Sequence, residues 1–111
     1  ANALTQDGPL VQIDGNGNRV AAMCYGPSTV YVVVGRNKLV SGGYAQAVKR
    51  IKEIACPLNA RRQGLKTPCA ENGSCNPAQC MSPMCHIVAS FELAPGGKTT
   101  KVLLIDEDLG Y

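Results

Sequence analysis

The chain has 111 residues, with charged residues at 17% and a hydrophobic fraction of 45%, which leaves room for one small domain and is too apolar for a disordered chain. Its net charge of +3 is spread over Lys49, Arg50 and Lys52 and then Arg61, Arg62 and Lys66, the pattern of a solvated helix face and not of a nucleic-acid footprint. No apolar run reaches membrane-spanning length, and no charged-then-apolar leader opens the chain, so neither a membrane nor a nucleic acid is an expected partner.

In chain order, residues 10–13 and 19–25 flank Asp14-Gly-Asn-Gly-Asn18, whose residues tolerate positive φ, and the segment predicts a β-hairpin. No helix is expected after that turn, so it resembles a phosphate-cradling glycine loop only superficially. Val30-Tyr-Val-Val-Val34 is continuously apolar and β-branched, as a central strand covered on both faces would be. Apolar or small residues then recur at Tyr44, Ala47, Val48, Ile51, Ile54, Ala55 and Leu58. That spacing predicts a helix with Lys49, Arg50, Lys52 and Glu53 on its outer side and Ser41 as N-cap. Pro57 should end or kink it, with Gly64 as the stop of any further turns. Residues 86–93 and 99–105 read as two more strands joined by a turn at Pro95-Gly-Gly97.

A strand followed by a helix is half of a βαβ unit, and ligands of such sheets bind beyond the carboxyl ends of the strands. Gly35-Arg36-Asn37-Lys38 leaves the first apolar strand and Asp106-Glu107-Asp108 leaves the last. Were those strands parallel, a cationic and an acidic cluster would share one sheet edge.

Four cysteines fall in one turn-rich stretch, residues 66–86: Cys69, Cys75, Cys80 and Cys85, with His86 beside the last. Their number suits zinc or an iron–sulfur cluster, but no two are only two residues apart, as the usual ligand spacings require. Free thiols and a disulfide framework are open alternatives. A thiolate–imidazole pair at Cys85 and His86 is disfavoured, because consecutive strand residues face opposite sides. Cys24 and Cys56 read as buried, inert thiols. A long strand and a regular helix outside the cysteine stretch favour a reduced, cytoplasmic setting over a secreted disulfide scaffold.

The ordered set Ala1-Asn-Ala-Leu4, Asp14-Gly-Asn-Gly-Asn-Arg19, Val32-Val-Val-Gly35 with Asn37-Lys38, Asn59-Ala-Arg-Arg62 with Gly64-Leu65, Thr67-Pro-Cys69-Ala, Cys75 and Glu107-Asp-Leu-Gly-Tyr111 resembles the LUD domain family. That family is named for lactate utilisation and includes the LutC and YkgG proteins. The resemblance implies an α/β fold, a layered mixed sheet with helices similar to part of the NagB/RpiA/CoA-transferase group. It implies that residues 1–111 form one domain corresponding to the C-terminal part of a longer one, with residues 66–86 as a cysteine-rich insertion. The absent initiator Met fits that placement, although a removed signal or trimmed tag would explain it equally. A partial domain should expose apolar surface and self-associate.

The resemblance further implies a role in oxidising L-lactate to pyruvate beside partners that carry iron–sulfur clusters. On this reading the chain is an accessory domain with metal at Cys69, Cys75, Cys80 and Cys85, while Asn18, Arg19, Asn37, Lys38 and Glu107 line any ligand pocket. The family's insertion commonly has a cysteine two or three residues after the one matching Cys75, whereas Cys80 follows it by five. The rival reading is an enzyme, or a CoA-, nucleotide- or carboxylate-binding domain, whose site an N-terminal half completes. In it Lys38 binds an anion and Glu107 acts as base or covalent acceptor, by fold-level analogy alone. An interaction module docking a cluster-bearing subunit is a third.

Overall fold

The computed structural model describes residues 1–111, and no helix in it is long and apolar enough to cross a membrane. Strands β1 (Ala3–Thr5) and β2 (Leu10–Asp14) form an antiparallel hairpin, closed where the Thr5 N–H donates to the Pro9 carbonyl at 2.9 Å. The short strand β4 (Leu39–Val40) adds in parallel to β1, and β5 (Ile87–Phe91) pairs antiparallel with the whole of β2, giving a mixed sheet in the order β4-β1-β2-β5. A second, two-stranded sheet consists of β3 (Thr29–Gly35) and β6 (Thr99–Ile105), which run parallel in register from Thr29 opposite Thr99 to Gly35 opposite Ile105. A mixed sheet with helices makes this an α/β structure, as expected.

The strand buried on both faces is β2, not the apolar β3. Ala3, Val11 and Ile13 pack on Ala47, Ile51, Ala55 and Cys56 of the long helical run, while Leu4 and Leu10 pack on Met23, Val32 and Val34. The β1–β2 hairpin is therefore the middle layer. In β3, burial alternates: Val32 and Val34 point inward, and Tyr31 and Val33 are exposed. A two-stranded sheet has no central strand, and β6 is uncovered on both faces: Val102 and Leu104 on one side and Leu103 and Ile105 on the other are all exposed. The turn expected at Pro95-Gly-Gly97 forms, with the Lys98 N–H donating to the Pro95 carbonyl at 3.1 Å, but the strands it joins do not pair, because β5 and β6 belong to different sheets.

In place of the strand expected over residues 19–25, the chain forms helix α1 (Asn18–Cys24). Its Ala and Met residues favour helix, and the carboxylate of Asp14 accepts the N–H of Val20 at 2.8 Å, satisfying a donor that the first turn leaves free. Gly17 precedes the helix at φ 77°, a left-handed conformation that selects glycine; a Cβ there would also push aside the Ile87 terminal methyl, 2.8 Å away.

The main helix is one continuous run of α2 (Tyr44–Arg50), a π-helical turn (Ile51–Ala55) and α3 (Cys56–Arg62). Gly43, not Ser41, precedes its first turn. Pro57 neither ends the run nor leaves a broken α-ladder: the wider turn, in which the Cys56 N–H donates to the Ile51 carbonyl, precedes the residue that has no donor. The extra residue rotates everything after it. Ile54 and Leu58, expected inside, are 46% and 37% exposed, whereas Ala55, Cys56 and Ala60 are buried. Arg50, expected on the solvated side, reaches inward to the carbonyls of Asn2 (2.9 Å), Asn37 (3.1 Å) and Tyr111 (3.3 Å). Gly64, at φ 69°, stops the run as expected, and the Leu65 N–H returns to the Ala60 carbonyl.

Beyond it, helix α4 (Pro68–Asn72) is capped by the Thr67 side chain, and the cysteine stretch then runs with little regular structure to β5. Gly35 closes the parallel pair. A Cβ on it would meet Asn37 Oδ1 and Leu109 N at 2.6 Å and Glu107 O at 2.8 Å. Gly35→Ala should therefore cost about 1–3 kcal/mol through overpacking, measured by chemical denaturation; an unchanged midpoint would show that this end of the sheet gives way freely.

Candidate functional site

Asp14 ends β2 with its side chain fully buried. Its carboxylate accepts from Gln12 Nε2 at 2.8 Å and from the Val20 N–H, and pairs with the Arg19 guanidinium. Burial alone raises its pKa, but the hydrogen bonds from Gln12 and Val20 and the charge of Arg19 outweigh burial and hold it below the usual value of 3.8. Arg19 Nη2 also donates to the Ile13 carbonyl at 3.0 Å. This side chain is 55% exposed, and its Nε and Nη1 have no protein partner.

Arg19 opens onto a groove of about 700 Å³ between α1, the main helix and the segment before β5. Asn18, Lys38, Arg62 and His86 line it with Arg19, and no Asp or Glu does. Lys38 makes no hydrogen bond or ion pair; burial, then Arg50 and Arg19, lower its pKa. His86 donates its backbone N–H to Asp14 O, and its Nδ1 lies 3.0 Å from Gly15 O. The Arg62 guanidinium is oriented by Asn59 Oδ1 through Nε at 3.1 Å and Nη2 at 2.8 Å.

Asn37 and Glu107 lie elsewhere. The parallel pairing of β3 with β6 brings the 35–38 and 106–108 loops together, so the two clusters do share an edge. There, Arg36 binds Asp108 (3.0 Å) and Asp106 (3.3 Å) and donates its backbone N–H to Glu107 O. The Asn37 amide is consumed by the chain end, donating to Gly110 O at 3.0 Å and accepting from the Leu109 N–H at 3.1 Å. Lys38, the next residue, turns to the groove, while the Glu107 side chain is exposed outside it.

Behind the groove, a second cavity of about 20 Å³ is lined by Cys69, Cys75, Cys80 and Cys85 and also by Cys56. Cys56 and Met84 border both cavities. All six cysteines are free, and no group of three or more His, Cys, Asp or Glu side chains stands in metal-ligating geometry. Burial, then the neighbouring Cys85, pushes the Cys56 thiol up to about 11. Burial lowers the pKa of Lys52, but its hydrogen bond to Cys85 and the nearby thiols outweigh this and raise it.

A family model for the LUD domain matches residues 1–105. The chain belongs to the LUD domain family. No curated protein and no solved structure matches it.

In this LUD domain the sequence signal missed three groove residues, Arg62, His86 and Asn59. Arg62 and Asn59 stood in a matched motif with no role attached, and His86 was weighed only against the adjacent Cys85. Those two in fact line different cavities, His86 the groove and Cys85 the thiol cavity. Cys24, expected buried, is exposed at the end of α1, whereas Cys56 is buried as expected.

The depressed Asp14 pKa fixes a pH dependence. Its contribution to stability is present above the unfolded value near 3.8 and is lost as pH falls through the lower folded value. Asp14→Asn should cost about 1–3 kcal/mol at neutral pH and remove that part of the acid dependence. Denaturation at pH 7 and pH 3 checks both; an equal loss at the two values would show that Asp14 acts by shape and not by charge.

Proposed function

We propose that this domain is an accessory, ligand-binding part of a system that oxidises L-lactate to pyruvate, and that its groove takes a phosphate- or carboxylate-bearing molecule. The observation that carries this reading is Lys38: a half-buried ammonium with no acidic partner, flanked by Arg19 and Arg50. The cations that hold this fold together are satisfied by acceptors of the chain, Arg36 by Asp106 and Asp108 and Arg50 by three carbonyls, whereas Lys38 has none. Here three cationic side chains and several amides surround a space with no Asp or Glu in its lining. The volume, about 700 Å³, falls in the range of cofactor sites and far exceeds a three-carbon hydroxy acid. A nucleotide or CoA portion fits that volume, with lactate or pyruvate filling only a corner of it.

In this reading Lys38 and Arg19 contact the anion, and Asn18, Arg62 and His86 extend the polar rim. Asn37 acts indirectly, fixing the backbone from which Lys38 projects. Glu107 reaches the ligand only if its exposed side chain turns from the sheet edge toward the groove, which is the condition for the base or acceptor role. The exposed apolar side chains of β6 are the surface we assign to self-association; a monodisperse monomer in light scattering would remove that assignment.

Thermal shift and calorimetry with L-lactate, pyruvate, nucleotides and CoA test the groove. A ligand at a hundred times its Kd should add about 2.7 kcal/mol of stability. Lys38→Gln should weaken binding about 10–100-fold, the loss of one charge-assisted contact. Because the ligand favours the charged ammonium, affinity should fall as pH rises through the lowered Lys38 pKa, below the ordinary 10.5, and Lys38→Gln should flatten that profile. Binding unaffected by the substitution would move the ligand out of this groove.

A further inference from the structure

We propose that the open edge of β6 is the seam of a two-fold dimer: it pairs antiparallel with the same edge of a second copy, Val102 opposite Val102, and makes one continuous sheet in the order β3-β6-β6-β3. This pairing rests on the self-association already assigned to β6 and gives it a geometry. The backbone identifies the free groups. The Thr99 N–H donates to the Ser28 carbonyl at 2.9 Å, and the Glu107 carbonyl accepts from the Arg36 N–H at 3.0 Å. Thr99, Lys101, Leu103 and Ile105 therefore turn their backbone groups toward β3. Those groups alternate sides along a strand, so Thr100, Val102 and Leu104 turn theirs to the other edge, where no strand pairs with β6.

Edge strands are ordinarily blunted by shortness, proline, a bulge or a projecting charge. β6 runs for seven residues, Thr99–Ile105, without Pro or Gly. Its one charge, Lys101, stands opposite Tyr31 and lies over that ring, with Nζ 5.5 Å from the centroid. The ammonium is thus drawn back over β3 and leaves the open edge undefended. Side chains on both faces of β6 are exposed as well, so no element of the chain shields the strand from above or below.

The strand selects a second copy of itself. Joining the β6 edge to a β3 edge would repeat head to tail without closing, whereas identical edges meeting about a two-fold axis close at once. An axis at Val102 sets Thr99 opposite Ile105 and so pairs the whole strand, and it matches the edge-facing groups of Thr100 with those of Leu104. Moving the axis to Thr100 or to Leu104 leaves most of the strand unpaired. The Val102 register also places Lys98 of each copy opposite Asp106 of the other, so unlike charges face each other at both ends of the seam. Leu103 of one copy becomes the diagonal neighbour of Leu103 of the second, and Val102 packs beside Val102, which covers the edge side of these exposed residues.

The test is sedimentation equilibrium over a concentration series, with amide hydrogen exchange on the unaltered chain. A dimer should form as concentration rises, and the amides of Thr100, Val102 and Leu104 should slow at least about 10-fold on dimerisation, while those of Lys101 and Leu103, bonded to β3 in either state, change less. Val102→Pro removes an edge-facing donor that β3 does not use, and Leu103→Lys sets like charges beside each other across the axis; each should weaken the dimer at least about 10-fold. Val33→Lys, on the exposed outer face of β3 and away from the seam, should leave it unchanged. If neither seam variant folds, the exchange pattern of the unaltered chain decides the point. A monomer at every concentration would leave the edge to a different protein segment and overturn both this pairing and the self-association beneath it. A dimer whose Thr100, Val102 and Leu104 amides stay fast, a dimer that Val33→Lys dissociates, or open-ended growth would keep self-association and overturn the β6 seam.

Discussion

The buried carboxylate of Asp14 is the interaction on which the rest of this structure depends. It terminates the strand that lies at the centre of the molecule, and its two oxygens are shared among Gln12, the first turn of α1 and Arg19. Its own carbonyl holds His86 at the start of β5. A negative charge taken wholly out of water is tolerable only with such a complete set of donors. The consequence is geometric: the turn before α1, the helix itself and the register of β5 are fixed relative to one another by one group. Groove residues Asn18, Arg19 and His86 all take their positions from it.

A second constraint acts through the helix. Pro57 has no N–H to give, and the chain answers with one wide turn instead of a break. That insertion advances the phase of every later residue, so the apolar stripe that began with Ala47 and Ile51 continues through Ala55, Cys56 and Ala60. Leu58 and Ile54 move outward as the complement of that shift. The same turn makes Cys56 part of the wall between the groove and the thiol cavity, so the two spaces share a partition.

Where cations go in this domain separates structure from recognition. Arg36 is neutralised by Asp106 and Asp108 on the surface, and Arg50 is spent on three carbonyls that gather the Asn2, Asn37 and Tyr111 segments. Lys38, Arg62 and the outer edge of Arg19 have no such carboxylate to themselves and converge on one space. The absence of acid from that lining makes the positive field available to a ligand, since the neighbouring charges raise the cost of leaving Lys38 uncompensated.

The sequence by itself determined the elements whose signal is local. The β-branched run became β3, Gly64 stopped the helix, and the ordered motifs placed the chain in the LUD domain family. It also brought the Gly35–Lys38 and Asp106–Asp108 loops to one edge, conditional on a parallel pairing that the fold adopts. Tertiary structure alone decided the rest. Residues 19–25 read as a strand, but the Asp14 carboxylate supplies an acceptor for the first turn of a helix there. Which strand lies at the centre depended on layer stacking, to which a residue pattern is blind. Cys56 joined the loop cysteines because an inserted helical residue changed its face, and periodicity counted at 3.6 residues per turn carries no record of such an insertion.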